Sequence, residues 1–178
     1  DGATAHWSRF DSGDGAEEFH IHATPNRGQT FDEQLASLER VYAFAMGEAR
    51  LDGSTAVFRR LFVSDVANQE GRTRASQLGD RACGSPCALS LVEQPPLPET
   101  KIALWAYHVR DRAPLRKTRI PNGVALHRES RTHLFTTGLG AAEGAGRTSH
   151  EQTREAFDAY VRLLDEHKAS LRDNVVRT

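Results

Sequence analysis

The sequence has few of the residues on which simple functional motifs depend. Its 178 residues include only two cysteines, one methionine and two tryptophans. Cys83 and Cys87 have C-x3-C spacing, which is not the C-x2-C spacing of redox and zinc motifs. No second cysteine pair or nearby histidine completes a tetrahedral metal site. We therefore expect reduced thiols, a cytoplasmic location, and no metal or other cofactor.

The sequence also lacks an excess of charge and a long apolar run. Its 23 basic and 24 acidic side chains give a net charge of -1, whereas a nucleic-acid-binding domain is usually clearly basic. No run approaches the roughly 20 apolar residues of a membrane span, and the first ten residues do not form a signal peptide. We expect neither nucleic acid nor a membrane as a partner.

The first fifty residues predict strands followed by a helix. In residues 17–25, apolar and polar side chains alternate with the period of two that is typical of a strand with one wet face. Thr30 and Glu33 then have the T-x-x-E spacing of a capping box. Apolar residues follow at steps of three and four, which predicts a helix of about five turns.

Four more elements are predicted between residues 55 and 109. They are a strand at residues 55–65, a short helix with a loop at 66–82, a strand at 87–94 and a strand at 100–109. The last strand is apolar on both faces, so we expect it to be central in its sheet. Trp105 and Tyr107 share one of these faces.

Residues 110–122 are basic, contain proline and have no periodicity, so we expect a domain boundary here. We place a complete unit at residues 1–112, a linker at 113–122 and the first half of a second unit at 123–178. Strands at 123–130 and 132–139, a helix from Ser149 and the start of a strand are predicted for that half.

The two predicted helices align without gaps. Thr30-x-x-Glu33-Gln34 matches Thr148-x-x-Glu151-Gln152 at an offset of 118 residues, and Tyr42 meets Tyr160 at the same offset. A helix start, its apolar stripe and the following strand in one register indicate an internal repeat. The second copy lacks the closing strands, so we expect a fragment of a longer tandem protein or a half-unit that a second chain completes.

The order of elements in the first copy resembles the Rid family, also known as YjgF-type or endoribonuclease L-PSP-like proteins. The residues that carry the resemblance are Thr30–Leu35 with Leu38, Val57–Asp65, Asn68, and Leu97-Pro98 before Lys101–Leu104. The resemblance implies an α/β fold, with a mixed sheet and helices on one face, in a trimeric or pseudo-trimeric assembly. It also implies small-molecule clefts between subunits.

Family members hydrolyse reactive enamines and imines without a metal, using an arginine to hold the substrate carboxylate. That arginine belongs at the start of the strand at 87–94, where this sequence has none, and the nearest is Arg81. Tandem relatives include chorismatases, whose chemistry lies in the second unit's later half. Three hypotheses stay open: deaminase-type hydrolysis, a chorismatase-like lyase, and a ligand-binding or regulatory module without turnover, which the missing arginine favours.

Five residues are candidates for the site. Arg81 suits a carboxylate ligand, but a solvated loop charge is the simpler interpretation. Glu93, at a strand end, is a candidate acid or base. Cys87 is a candidate for the lining of a cleft. Trp105 and Tyr107 are candidates for stacking on a ligand, although core packing is commoner for such residues.

Two other patterns are weaker indications of a binding site. His20 and His22 have an H-x-H spacing that suits a metal, but no third ligand is identifiable, so we interpret them as a wet strand face. The Gly/Ala stretch at 138–146 precedes a helix without the lysine and hydroxyl of a P-loop. The expected partners are therefore a small carboxylate-bearing molecule, and either further copies of this chain or a second chain that completes the half-unit.

Overall fold

The structure is a computed structural model that describes residues 2–13, 15–28, 30–79, 84–129, 131–139 and 148–175. Its contacts divide the chain into two units, residues 1–137 and residues 138–178. The elements in chain order are β1 (Thr4–Asp11), β2 (Ala16–Thr24), α1 (Phe31–Glu48), β3 (Ala56–Val63), α2 (Val66–Ala75), β4 (Ala88–Glu93), β5 (Ile102–Asp111), β6 (Arg116–Ile120), β7 (Gly123–His127), β8 (Thr132–Thr136) and α3 (Ser149–Glu166).

The first unit is built on a five-stranded mixed sheet with the strand order β1-β2-β5-β3-β4. All neighbours in this sheet are antiparallel except β3 and β4, which are parallel. Parallel neighbours need a crossover connection because a tight hairpin would reverse the chain. The segment with α2 supplies that crossover, and the predicted mixed α/β class is confirmed.

Helix α1 covers one face of this sheet, which we call the helix face and define by Ile21, Leu61 and Leu104. Its start is fixed by the predicted capping box: the Thr30 hydroxyl accepts a hydrogen bond from the Glu33 N–H, and the Glu33 carboxylate accepts one from the Thr30 N–H. The main hydrophobic core lies between the helix and this face.

A second sheet, β6-β7-β8, is antiparallel throughout. It packs against the other face of the large sheet, which we call the aromatic face and define by Phe58, Trp105 and Tyr107. Val124 of β7 and Phe135 of β8 make the contact. This contact covers only part of the aromatic face, because Trp105 and Tyr107 stay partly exposed.

Two polar contacts also hold the second sheet in place. The Lys117 ammonium donates to the Ala56 carbonyl at 2.6 Å. The Arg128 guanidinium pairs with the Asp111 carboxylate at 2.9 Å, and the arginine side chain of this pair is nearly buried. Both contacts tie residues near 110–130 to strands of the large sheet.

Part of the predicted linker forms a strand. Residues 116–120 are strand β6, paired along its length with β7, and the contacts divide the chain after residue 137. Cross-strand pairing and the Lys117 contact order a segment that is basic and has no periodicity of its own. The strand predicted from Asn174 lies mostly outside the described residues.

The second unit contains α3, which matches α1 in detail. Both helices have 18 residues and a complete capping box, at Thr30 and at Thr148. Arg50 and Lys168, which follow the two helices at the offset of 118 residues, both have a φ of 55°. The tandem repeat itself stays a prediction. On α3, Phe157 and Val161 of the predicted apolar stripe are exposed.

The core contacts of α1 give a first prediction. Leu38→Ala should lower the free energy of unfolding by about 2 to 5 kcal/mol, because Leu38 is fully buried and its loss leaves a cavity. Phe44→Ala is the matched control on the same helix: Phe44 is 68% exposed, so the change should stay within about 0.5 kcal/mol. Urea denaturation measures both, and equal effects would contradict the packing of α1.

Candidate functional site

Four of the five residues that the sequence singles out lie in the part of the chain that the structure describes. Cys87 and Glu93 lie at opposite ends of β4, about 20 Å apart at the rise of a strand. Cys87 is buried, and Glu93 is exposed. Arg81 lies outside the described residues. Cys87 and Glu93 therefore do not form one site.

Trp105 and Tyr107 do lie together, on the aromatic face. Glu93 does not join them: it pairs in register with Val63, and Val63 and Leu61 belong to the helix-face core. Side chains alternate between faces along a strand. Glu93 is thus directed away from the two aromatic residues.

The strand register assembles a row of side chains across the aromatic face, which we call the arginine row. Arg60 of β3 pairs with Ser90 of β4 on one side and with Trp105 of β5 on the other. Trp105 in turn pairs with His22 of β2. Directly paired residues point to the same face of a sheet, so Ser90, Arg60, Trp105 and His22 are successive neighbours.

Arg60 is the residue of this row that the sequence analysis missed. Its guanidinium carbon lies 5.5 Å from the ring centroid of Phe58 and 5.5 Å from that of Trp105. Its Nε atom is buried and has no hydrogen-bond partner within the described part of the chain. Arg60 is therefore a cation that lies against two aromatic rings, and its buried Nε–H has no acceptor among the described residues.

A signal for Arg60 does exist in the sequence. Arg59 and Arg60 are adjacent in a strand that is otherwise apolar. Because successive residues of a strand face opposite sides, one arginine must enter the sheet's helix face and the other its aromatic face. An arginine on a buried face needs a partner, so the pair indicates two polar sites.

His20 extends the aromatic cluster beside the arginine row. Its ring stacks on Trp105 at a centroid distance of 5.8 Å, and the Trp105 indole N–H donates to His20 Nδ1 at 3.2 Å. The His22 ring also lies beside Trp105, at a centroid distance of 6.4 Å. Within the described ranges, no group of three or more His, Cys, Asp or Glu residues is placed to hold a metal ion.

On the helix face, Arg59 belongs to a buried polar chain. The Arg59 Nε–H donates to the Tyr42 hydroxyl at 3.3 Å, and that hydroxyl lies 2.8 Å from His108 Nε2. On the other side of the ring, His108 Nδ1 lies 2.9 Å from the Thr55 hydroxyl, which donates to the Asp52 carbonyl. A second arginine nitrogen donates to the carbonyls of residues 77–79.

The chain favours one proton arrangement for His108. Arginine only donates, so the Tyr42 oxygen accepts from Arg59 and its proton is available for Nε2. The Thr55 proton is used on Asp52, so its oxygen accepts from Nδ1–H. Burial lowers the pKa of His108 to about 3, and the positive charges of Arg59 and Lys117 act in the same direction. We expect a neutral ring with its proton on Nδ1.

Two surface clefts lie elsewhere. One, of about 500 Å³, is lined by residues that include Thr24, Asn26, Arg27 and Thr100. Another is lined by charged residues around Glu17 and Arg110, which pair with each other at 2.7 Å. Neither cleft includes any of the predicted site residues. As far as the helices are described, none is long and apolar enough to cross a membrane.

Comparison with solved structures finds similar folds at low sequence identity. A Salmonella typhimurium protein proposed to inhibit translation initiation has 15% identity and a TM-score of 0.45, over 58% of this chain and 97% of that chain. A YjgF-family protein from Neisseria meningitidis has 14% identity and a TM-score of 0.44, over 61% and 98%. A member of that family from Mycobacterium tuberculosis has 17% identity and a TM-score of 0.41, over 58% and 98%.

Two of these structures are described as members of the YjgF family. No protein-family profile matches the sequence. No curated protein sequence matches it either.

The neutral His108 predicts a pH dependence of stability. Because its pKa is about 3 in the folded chain against 6.5 in the unfolded chain, the unfolded state binds more protons between these values. The neutral His108 ring contributes its full share of the folding stability above pH 6.5. This share is lost as the pH falls toward 3, at about 1.4 kcal/mol per pH unit. Urea denaturation from pH 7.5 to 4 should show that the free energy of unfolding falls with this slope. His108→Gln should remove the part of the pH dependence that comes from His108.

Nitrogen NMR of the imidazole supplies a direct test that does not depend on the variant's folding. At pH 5 the wild-type protein should give the pattern of a neutral ring protonated at Nδ1. An imidazolium pattern at that pH would contradict the buried polar chain.

Proposed function

We propose that this chain binds a small carboxylate-bearing metabolite on its aromatic face, with Arg60 as the anchor for the carboxylate. The observation that carries the proposal is the buried Arg60 Nε, which lacks a hydrogen-bond partner within the described residues. A guanidinium presents a rigid, planar fork of donors that matches a carboxylate. The site therefore offers a carboxylate a positive charge and hydrogen-bond donors.

The surroundings of Arg60 support an anion as its missing partner. A buried donor without an acceptor costs about 1 to 3 kcal/mol, and more when the group is charged. The rings of Phe58 and Trp105 offset part of this cost by cation–π attraction, but they accept no conventional hydrogen bond. A bound carboxylate would satisfy the donor and neutralise the charge.

The family resemblance supports the same chemistry. The sequence resembles proteins in which an arginine holds the substrate carboxylate, and it lacks an arginine at the corresponding position. We assign that role to Arg60, which lies next to the same strand, β4, through its pairing with Ser90. The hydroxyl of Ser90, the direct neighbour of Arg60 in the arginine row, can hydrogen-bond a water beside the ligand. In this form the function is deaminase-type hydrolysis of an enamine or imine.

A binding or regulatory role without turnover is the second candidate, and one observation favours it. The predicted acid or base, Glu93, is directed to the helix face and cannot reach a ligand at Arg60. Ammonia release from an amino-acid-derived imine decides between the two roles. Release above the buffer rate that Arg60→Gln abolishes favours hydrolysis, and carboxylate binding without release favours the regulatory role.

The binding step gives a prediction that holds for both candidates. Arg60→Gln should weaken the binding of acetate, pyruvate and phenylacetate at least about tenfold, because a charge-assisted pair is lost. Arg60→Lys should retain part of the affinity, since a point charge remains. Isothermal titration calorimetry measures each dissociation constant.

The matched control is Arg40→Gln, which removes the same charge from the exposed surface of α1, the helix that covers the helix face. It should leave the affinities unchanged. Equal affinities for Arg60→Gln and Arg40→Gln would overturn the proposed function.

A further inference from the structure

We propose that the ligand of this site is a monocarboxylate with an apolar body about one ring in size, and that this body lies over Phe62 and Val92. The inference rests on the proposed function and specifies its substrate class. It depends on the residues that follow the arginine row along the sheet.

The next row along the aromatic face is apolar. Phe62 lies two residues beyond Arg60 on β3, so it points to the same face about 7 Å away. Phe62 pairs with Val92 of β4 on one side and with Ala103 of β5 on the other. Phe62 and Val92 are partly exposed, and Ala103 is small and nearly buried. This row forms an apolar platform next to the carboxylate anchor.

The opposite direction is closed by the second sheet. The row before Arg60 contains Phe58 and Tyr107. Val124 packs against Phe58, and the Phe135 ring lies 5.6 Å from that of Tyr107. A ligand with its carboxylate on Arg60 therefore has to extend toward Phe62.

The apolar row itself offers no partner for a second carboxylate. The residues of the apolar row, Phe62, Val92 and Ala103, carry no charge. His22, in the arginine row, is separated from Arg60 by the strand of Trp105, so it is two strand spacings or about 10 Å away. A second carboxylate over the apolar row would be desolvated without a partner, which is unfavourable.

The experiment compares acetate, phenylacetate and phenylsuccinate. Phenylacetate should bind at least about tenfold more tightly than acetate, because burial of its ring adds apolar contact. Phenylsuccinate, with its second carboxylate, should lose most of this gain. Trp105 fluorescence reports the binding in a Trp7→Phe background, which leaves one of the two tryptophans, because the ligand alters the contact between Trp105 and Arg60.

Two variants locate the apolar body. Val92→Thr keeps the shape of the side chain but adds a hydroxyl, so phenylacetate should bind at least about threefold more weakly while acetate changes less than twofold. Phe62→Leu should have the same selective effect by reducing ring contact. Val41→Thr is the control, since Val41 packs in the core on the helix face, and it should alter neither affinity.

The outcomes separate this inference from the proposed function. If acetate and phenylacetate bind equally and Arg60→Gln weakens both, Arg60 binds the carboxylate as proposed, but the apolar row does not bind the body of the ligand. If Val92→Thr and Phe62→Leu leave the preference for phenylacetate intact, the body lies elsewhere and the inference is overturned. If no carboxylate binds in an Arg60-dependent way, the proposed function itself fails.

Discussion

The alternation of side chains along β3 is the constraint on which both polar features of this chain depend. Arg59 and Arg60 are neighbours in sequence, but they leave the strand on opposite faces. Arg59 enters the helix-face core, and Arg60 enters the aromatic cluster. A slip of one residue in the pairing of β3 would exchange the two guanidiniums, and neither face offers the other arginine a suitable environment. The register of β3 is therefore set by polar groups as well as by apolar packing.

The two arginines have contrasting surroundings. Arg59 is almost fully buried, but the carbonyls of residues 77–79 and the Tyr42 hydroxyl accept hydrogen bonds from its guanidinium. These hydrogen bonds join α1 and the loop after α2 to β3. Arg60 faces aromatic rings, which attract a cation without satisfying its donors. A fully bonded polar group gives a fold its specificity, whereas an incompletely bonded one is typical of a binding site. This contrast is why we assign function to Arg60 and structure to Arg59.

Much of the fold was predictable because local signals agreed with the tertiary structure. The T-x-x-E spacing placed the start of α1 at Thr30, and the period of two placed β2 and the shared face of Trp105 and Tyr107. Strand β6 was not predictable in the same way. Its sequence is basic and follows a proline, so its order comes from pairing with β7 and not from its own pattern. Glu93 was singled out as a strand-end carboxylate, but only the register showed that it faces away from the aromatic cluster.

The sequence by itself determined the identity and order of the main elements and the presence of two adjacent arginines in an apolar strand. The tertiary structure decided which strands became neighbours, and hence that Arg60 lies between Ser90 and Trp105 and beside the apolar row of Phe62. The physical reason is that alternation along a strand is a local property, while pairing joins residues that are 30 to 45 positions apart in the chain. A site made by pairing cannot be deduced from any one segment.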